Sequence, residues 1–457
     1  MYWAVHGTPN VNSRLFYRTL FANSPTSVFS VGLALSEGNM AQLKSETLAS
    51  VFSNVPTAPP DAILGLNTQF KADTNPSKVN LGVGAYRDTE GKPYVLPVVR
   101  RVEQALANDL SATHEYLPQD GLSDFCNLSA RLILGKDSPA LAEGRVTTVQ
   151  ALSGTGSLRV GFTFVARFLS AQTAVYIPKP TWSNHKNVVP QSGLPPTHEY
   201  RYFHPATGGV DVEAMLEDLD TAPPCSVVLL HGCAHNPTGA DPTQEQWDRI
   251  LQVVKSRQLI PFFDNAYQGF ASGSLETDAW SVRHFVAAGI DVLIAQSFAK
   301  NMGMYGERVG AFSVVCAKPG AEEAIRSQLK AIIRAMYSSP PLHGARVAAM
   351  ILADPDLFAE WEQELVGMSA RIKDMRVKLK ASLIANKAPG TWDHIVTQIG
   401  MFSYTGLTPQ QVAYMREKYH VYMTANGRIS MAGLTDATVQ YVADAMKDAV
   451  LSVVKQD

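Results

Sequence analysis

Cysteine is scarce in this chain. Cys126, Cys225, Cys233 and Cys316 are its four, scattered singly with no CxxC pair, which argues against both a zinc site and a disulfide framework and favours a reducing compartment. Long apolar runs are missing too: none approaches the roughly 18 residues of a transmembrane helix, so no membrane span is expected. Nor is there an excess of one charge. Thirty-nine Lys and Arg stand against 41 Asp and Glu, a formal net charge of −2, and the basic residues are dispersed, leaving no electrostatic footprint for nucleic acid or acidic membranes. Internal repeats and low-complexity segments are likewise missing. What remains is a chain of 457 residues, 46% of them hydrophobic, long enough to bury a large core in two or three domains.

The stretch up to Met40 differs in composition from the rest. It holds Arg14, Arg18 and several Ser and Thr, with Glu37 its single acid. Residues 1–50 therefore read as an N-terminal extension of one of two kinds: an organelle transit peptide, or an upstream extension of the reading frame with Met40 as a second start. A secretory signal fits less well, because VFSVGLAL is short and far from the amino terminus. A cytoplasmic location is expected for the second kind, a mitochondrion or plastid for the first.

From about residue 95 to 365, short β-rich runs alternate with helical stretches: VTTVQAL then SLRVGFTFVARFL, AVYIPKP, SVVLLHGCAHNPTG, LIPFFDNAY, DVLIAQSFAK and AFSVVC. That alternation predicts an α/β fold, a mainly parallel sheet flanked by helices. Several runs end in polar or glycine-containing loops, where such sheets bind ligands. After Asp354 and Pro355 the pattern turns to long charged helices, followed by IGMFSYTG and GRISMAG as candidate strands. Residues 51–94 and 366–457 are expected to form a second, smaller α/β domain beside a large domain of residues 95–365.

Within that frame Lys300 closes the apolar run DVLIAQSF and is followed eight positions later by Arg308. A lysine leaving a sheet edge into an apolar cleft loses proton affinity and becomes nucleophilic, as a Schiff-base anchor requires; a lone lysine is otherwise a surface residue. In LSGTGSLRVG, the residues Ser153, Gly154, Thr155 and Gly156 stand between a strand and a helix and can offer backbone N–H groups to a phosphate. The glycine spacing is not that of the dinucleotide fingerprint, and a plain tight turn is the alternative. Ser297 and Arg308 would complete the cradle with a hydroxyl and a guanidinium.

Asp264 in FFDNAYQGF ends an apolar strand, so it needs a cation, such as a protonated ring nitrogen, unless it is an N-cap. Tyr267 and Asn236 are placed to meet an aromatic oxygen. Trp182 in PKPTWSNH is a candidate to stack on a planar ring, or a core tryptophan. His231 and His235 are four apart, but with glycine between them and no obvious third ligand a metal site is rejected; His231 is expected instead as the partner of Asp264. Arg428 in NGRISMAG and Arg334 in IIRAMYSSPP are either solvated or carboxylate-binding, and two such arginines in one site would select a dicarboxylate.

Taken together, GTGSLR, PTWSNH, CAHNPTG, FDNAYQGFASG, SFAKNMGMYGERVG and MYSSPPLHGAR resemble the aspartate aminotransferases, pyridoxal-phosphate enzymes of fold type I, over nearly everything after residue 50. The resemblance implies that Lys300 anchors pyridoxal 5'-phosphate, Asp264 pairs with its ring nitrogen, Tyr267 and Asn236 bond its phenolic oxygen, and Trp182 stacks on the ring. It implies a phosphate cradle of Ser153, Gly154, Thr155, Ser297 and Arg308, joined by Tyr116 of a neighbouring subunit in a homodimer. It further implies that Arg428 clamps the substrate α-carboxylate, that Arg334 from across the dimer reads the side-chain carboxylate, and that Gly84 lies near the substrate. Gly232, Asn265, Gln119 and Ser339 depart from the pattern, and none removes a chemical group assigned above.

The expected reaction is reversible transamination between L-aspartate and 2-oxoglutarate. An aminotransferase that also accepts aromatic amino acids is the alternative. A catalytically silent binder and a decarboxylase fit the intact lysine, aspartate and arginine set less well.

Overall fold

The computed structural model describes residues 50–453 apart from Pro60 and Ala62. Of the expected N-terminal extension, residues 1–50, all but the last lie outside the described residues. The described residues from Asp61 to Val453 form one compact unit, while residues 50–59 are a turn and an exposed segment without regular secondary structure.

Seven strands make the central sheet: β1 (Val146–Leu152), β2 (Val175–Lys179), β3 (His198–Arg201), β4 (Val227–His231), β5 (Ile260–Asn265), β6 (Val292–Ser297) and β7 (Val309–Val315). Their spatial order is β1-β7-β6-β5-β4-β2-β3. The chain forms a mainly parallel sheet, as the alternating pattern predicts, and only β7 runs against its neighbours β1 and β6. Both faces are covered. Alternate residues point to opposite faces, so Val228, Leu230, Phe263, Ile294 and Val315 enter one apolar cluster and Val227, Leu229, Phe262, Leu293 and Val314 enter another. Helices Val212–Asp220, Gln244–Ser256 and Trp280–Ala287 cover the first face, and α1 (Ser153–Phe168) with Glu322–Met336 the second. Burial on both faces explains why these strands read as continuous apolar runs. Removing one fully buried ring, such as Phe262 or Phe263, would cost about 3–5 kcal/mol.

The change of pattern at Asp354 has a local cause. The Asp354 carboxylate accepts from the backbone of Asp356 and Leu357, and Pro355 occupies the first turn of α2 (Pro355–Ala385), the arrangement that starts a helix most readily. This helix is continuous over 31 residues, so the boundary expected between 365 and 366 falls inside it. The candidate strands beyond it are Phe402–Tyr404 and Arg428–Ser430, paired antiparallel with Tyr404 opposite Arg428.

Candidate active site

The topology gathers the candidate residues on one edge of the sheet. Parallel strands deliver the ends of β4, β5 and β6 there, at His231, at Asp264 with Asn265, and at Ser297. Because β7 is reversed, its start lies at the same edge, which brings Arg308, just ahead of Val309, to the loops that follow the other strands. Strand β1 passes directly into α1, so Ser153, Gly154 and Thr155 form the first turn of a 16-residue helix. One cavity is lined by Ser153, Gly154, Thr155, Trp182, Asn236, Asp264, Tyr267, Ser297, Lys300 and Arg308, together with His231 and Ala266. The free N–H groups and dipole of α1 favour an anion at its start. Ser153 Oγ lies 2.9 Å from Ser297 Oγ, and Arg308 adds a guanidinium held by its bond to the Tyr305 carbonyl at 2.9 Å.

Asp264 does not bond His231, as the sequence suggested. Its partner is His185, whose Nε2 lies 3.0 Å from Asp264 Oδ2. The register sets Asp264 opposite His231 on neighbouring strands, but the imidazole of His231 turns elsewhere. Its Nδ1 accepts from the Asn236 backbone N–H at 3.2 Å, and its Nε2 faces Thr181 Oγ1 at 3.3 Å. Thr181 Oγ1 also lies 2.8 Å from His185 Nδ1.

Proton positions follow from these partners. His231 accepts at Nδ1, and burial, reinforced by His185, pulls it down to about 3, so it is neutral and carries its proton on Nε2. It donates to Thr181. The Thr181 hydroxyl donates to His185 Nδ1, and His185 Nε2–H donates to Asp264. This one-directional chain ends on the carboxylate. Burial would raise the Asp264 carboxyl, yet the hydrogen bond it accepts from His185 Nε2 and the nearby Lys300 amine hold it below the usual range. The carboxylate is therefore ionised and aimed into the cavity. His185, Thr181 and Ala266 are the residues the sequence reading did not assign; the histidine three places after Trp182 in PTWSNH was the visible signal.

Lys300 stands three residues beyond β6, its Nζ 5.4 Å from the centre of the Tyr267 ring. Burial lowers its proton affinity, and the charges of Arg308 and Arg428 lower it further against the opposing pull of Asp264. Burial raises the Tyr267 phenol, so it remains a hydrogen-bond donor at neutral pH. Trp182 is partly buried and meets His185 edge to face at 5.2 Å. Arg428 is 3% exposed. Its Nη2 donates to the Gly82 carbonyl at 2.6 Å and its Nη1 to Asn236 Oδ1 at 3.3 Å, while its Nε is buried without a partner. Gly84 adjoins the Phe402 ring, since a Cβ there would stand 2.8 Å from Phe402 Cζ. Tyr116 and Arg334 are not brought to the cavity within this chain. Tyr116 is 84% exposed, and Arg334 is exposed at the end of its helix with Nη1 on Ser338 Oγ.

The donor set suits a phosphorylated, protonated heteroaromatic carbonyl compound: an anion cradle at one end, a carboxylate and a phenol in the middle, and an amine of lowered proton affinity beside them. The unpartnered Nε of the buried Arg428 leaves a donor for a further anion. Pyridoxal phosphate fits these residues.

A sequence model of the family described as aminotransferase class I and II matches residues 76–446. The chain is 57% identical to the cytoplasmic aspartate aminotransferase of Oryza sativa subsp. japonica over 402 residues, which are 88% of this chain and 98% of that protein. Among solved structures, the aspartate aminotransferase from Saccharomyces cerevisiae cytoplasm matches with a TM-score of 0.87 at 44% identity, covering 89% of this chain and 100% of that one. An aromatic-amino-acid aminotransferase from Burkholderia pseudomallei, covalently bound to pyridoxal phosphate, matches with a TM-score of 0.85 at 43% identity, covering 88% of this chain and 100% of that one.

Proposed function

The chain belongs to the class I and II aminotransferases, and within that family we propose that it transfers the amino group of L-aspartate reversibly to 2-oxoglutarate, giving oxaloacetate and L-glutamate. The observation that carries this reading is Lys300, Asp264 and Arg308 lining one cavity, with Arg428 bonded to Asn236 in its wall, in a chain 57% identical to a protein named for that activity. Pyridoxal phosphate, when bound, supplies the carbonyl that exchanges amines and the electron sink for the substrate's α electrons.

The chain's own residues do the rest. Lys300 anchors the cofactor, and once the substrate amine has displaced it, its Nζ, lowered in proton affinity by burial, is the base that takes the proton from the substrate Cα and the acid that delivers it at the other end of the 1,3 shift. Asp264, kept ionised through His185, holds the proton on the ring nitrogen. Tyr267 and Asn236 hold the phenolic oxygen, Trp182 supports the ring, and Ser153, Gly154, Thr155, Ser297 and Arg308 bind the phosphate. Arg428 holds the substrate α-carboxylate near Gly84. Burial lowers the Arg428 guanidinium to about 10, which leaves it charged at neutral pH.

Tyr116 and Arg334 complete the site from a second copy of the chain, Tyr116 at the phosphate and Arg334 at the substrate's side-chain carboxylate. Their exposure away from the cavity supports a homodimer with shared sites. By its likeness to the rice protein we place the chain in the cytoplasm; the sequence of the mature amino terminus, read by mass spectrometry, tests this against cleavage of an organelle leader.

A broader enzyme that also takes aromatic amino acids is the second reading, favoured by the match to the Burkholderia structure. Comparing kcat/KM for aspartate and phenylalanine separates the two. A preference of tenfold or more for aspartate supports the dicarboxylate reading, and comparable values favour the broader enzyme.

A further inference from the structure

Arg376 is a charged residue with no evident place in the chemistry above. It lies on α2, is 2% exposed, and meets only main-chain acceptors. Its Nη1 donates to the Ile395 carbonyl at 2.8 Å, and its Nη2 to the carbonyls of Gly400 and Phe402 at 2.9 and 2.5 Å. Among the described residues it has no carboxylate partner within ion-pair distance, and its Nε is buried and unpartnered. A buried guanidinium without a counter-ion is costly, so the carbonyls that compensate it are held to one arrangement.

Those carbonyls belong to the segment that turns into the strand Phe402–Tyr404, paired with Arg428–Ser430. The segment touches the site on three sides. The Phe402 ring lies 4.1 Å from the Arg428 guanidinium carbon and meets the Tyr267 ring edge to face at 6.1 Å. Ile399 N–H donates to the Gly239 carbonyl at 2.7 Å. Gly239 has φ +68, and a Cβ there would stand 2.6 Å from the Phe402 oxygen, so the turn after Asn236 leans directly on the same backbone. Asn236 in turn accepts from Arg428. Two of the three neighbours that orient Arg428, an aromatic face and an amide oxygen, are thus seated on backbone that Arg376 fixes; the third is the Gly82 carbonyl.

We propose that Arg376 is a positioning residue for substrate binding: by holding the carbonyls of Ile395, Gly400 and Phe402 it seats the Phe402 ring and the Asn236 turn against Arg428, so that this guanidinium meets the substrate carboxylate already oriented. The inference rests on the reading that Arg428 binds that carboxylate. Its effect falls on binding. Retention of the cofactor rests on Lys300, Asp264 and the α1 cradle, none of which Arg376 touches, while Tyr267 and Asn236, at the phenolic oxygen, adjoin the segment it holds.

The test compares the holoenzyme with Arg376→Lys, Phe402→Leu and Arg428→Ala by steady-state kinetics, alongside the amount of bound cofactor read by its absorbance. Arg376→Lys and Phe402→Leu are each expected to raise KM for the amino-acid substrate roughly tenfold, to change kcat less than threefold and to leave the amount of bound cofactor as in the wild type. Added to Arg428→Ala, either substitution should produce no further rise in KM. Unchanged KM in both single variants would overturn the proposal, as would loss of bound cofactor or a KM effect that persists in full without Arg428. Should Arg376→Lys fail to fold, Phe402→Leu and its double variant decide alone. If aspartate proves a poor substrate, the reaction assignment fails, but the same KM comparison on whichever amino acid is turned over still tests Arg376, since every amino acid carries the α-carboxylate.

Discussion

Replacing Thr181 by Val removes one hydroxyl from the chain that ends on Asp264 and keeps the side-chain volume nearly constant. Thr181 Oγ1 serves two buried nitrogens, His185 Nδ1 at 2.8 Å and His231 Nε2 at 3.3 Å, on residues 0% and 7% exposed. Each is left without that partner in the variant. A buried polar atom so orphaned costs about 1–3 kcal/mol, with the longer bond to His231 at the low end. The expected loss is therefore about 2–4 kcal/mol, measured by urea unfolding of the apoprotein. A functional loss should accompany it. Without a donor at Nδ1, His185 is no longer confined to the tautomer that points Nε2–H at Asp264, and weakening that one bond by about 1.4 kcal/mol lowers kcat roughly tenfold. Thr181→Ser, which keeps the hydroxyl, should recover most of both effects. A Val variant within about 0.5 kcal/mol of wild type, turning over at the wild-type rate, would refute the proton arrangement drawn here.

Two further perturbations follow from the same geometry. Arg428→Lys replaces a planar fork by a point charge, so KM for aspartate should rise at least tenfold with little change in cofactor absorbance; an unchanged KM would place the substrate carboxylate elsewhere. Asp241 accepts the backbone N–H groups of Ala234 and His235 at 2.6 and 2.8 Å, and burial still raises its carboxyl from 3.8 to about 6. Between those values the folded chain keeps a proton that the unfolded chain has released, so the contribution of Asp241 to stability declines as pH rises through that window. About two pKa units correspond to at most about 3 kcal/mol. The difference in unfolding free energy between wild type and Asp241→Asn should narrow by up to that amount from pH 4 to pH 7, and a widening difference would contradict this account.

The strands of the sheet core were legible because each is buried on both faces and reads as an unbroken apolar run; VVLLH and VLIAQS leave little else to choose. The edge strand β3, His198–Arg201, was not, since only Tyr200 of its four residues is buried. The reversal of β7 was invisible for a different reason. Apolar pattern records burial and not direction, yet that reversal is what carries Arg308 to the site. Site residues at strand ends could be named from the loops that follow them. Which histidine reaches Asp264 depended on side-chain direction across β4 and β5, which residue spacing does not carry, and the adjacent His231 was the natural but incorrect choice. Arg376 is as obscure in sequence: one more cation on a charged helix, distinguished only by the face that the fold buries.

The central claim is that Lys300 moves the proton as an amino group passes from aspartate to the cofactor. Mixing the holoprotein with L-aspartate alone, with no 2-oxo acid, tests it most directly. The absorption band of the lysine-bound cofactor should disappear, with one oxaloacetate formed per cofactor, and Lys300→Ala should retain the cofactor while forming none. Oxaloacetate production by Lys300→Ala at the wild-type rate, or a wild-type band unmoved by aspartate, would contradict the account.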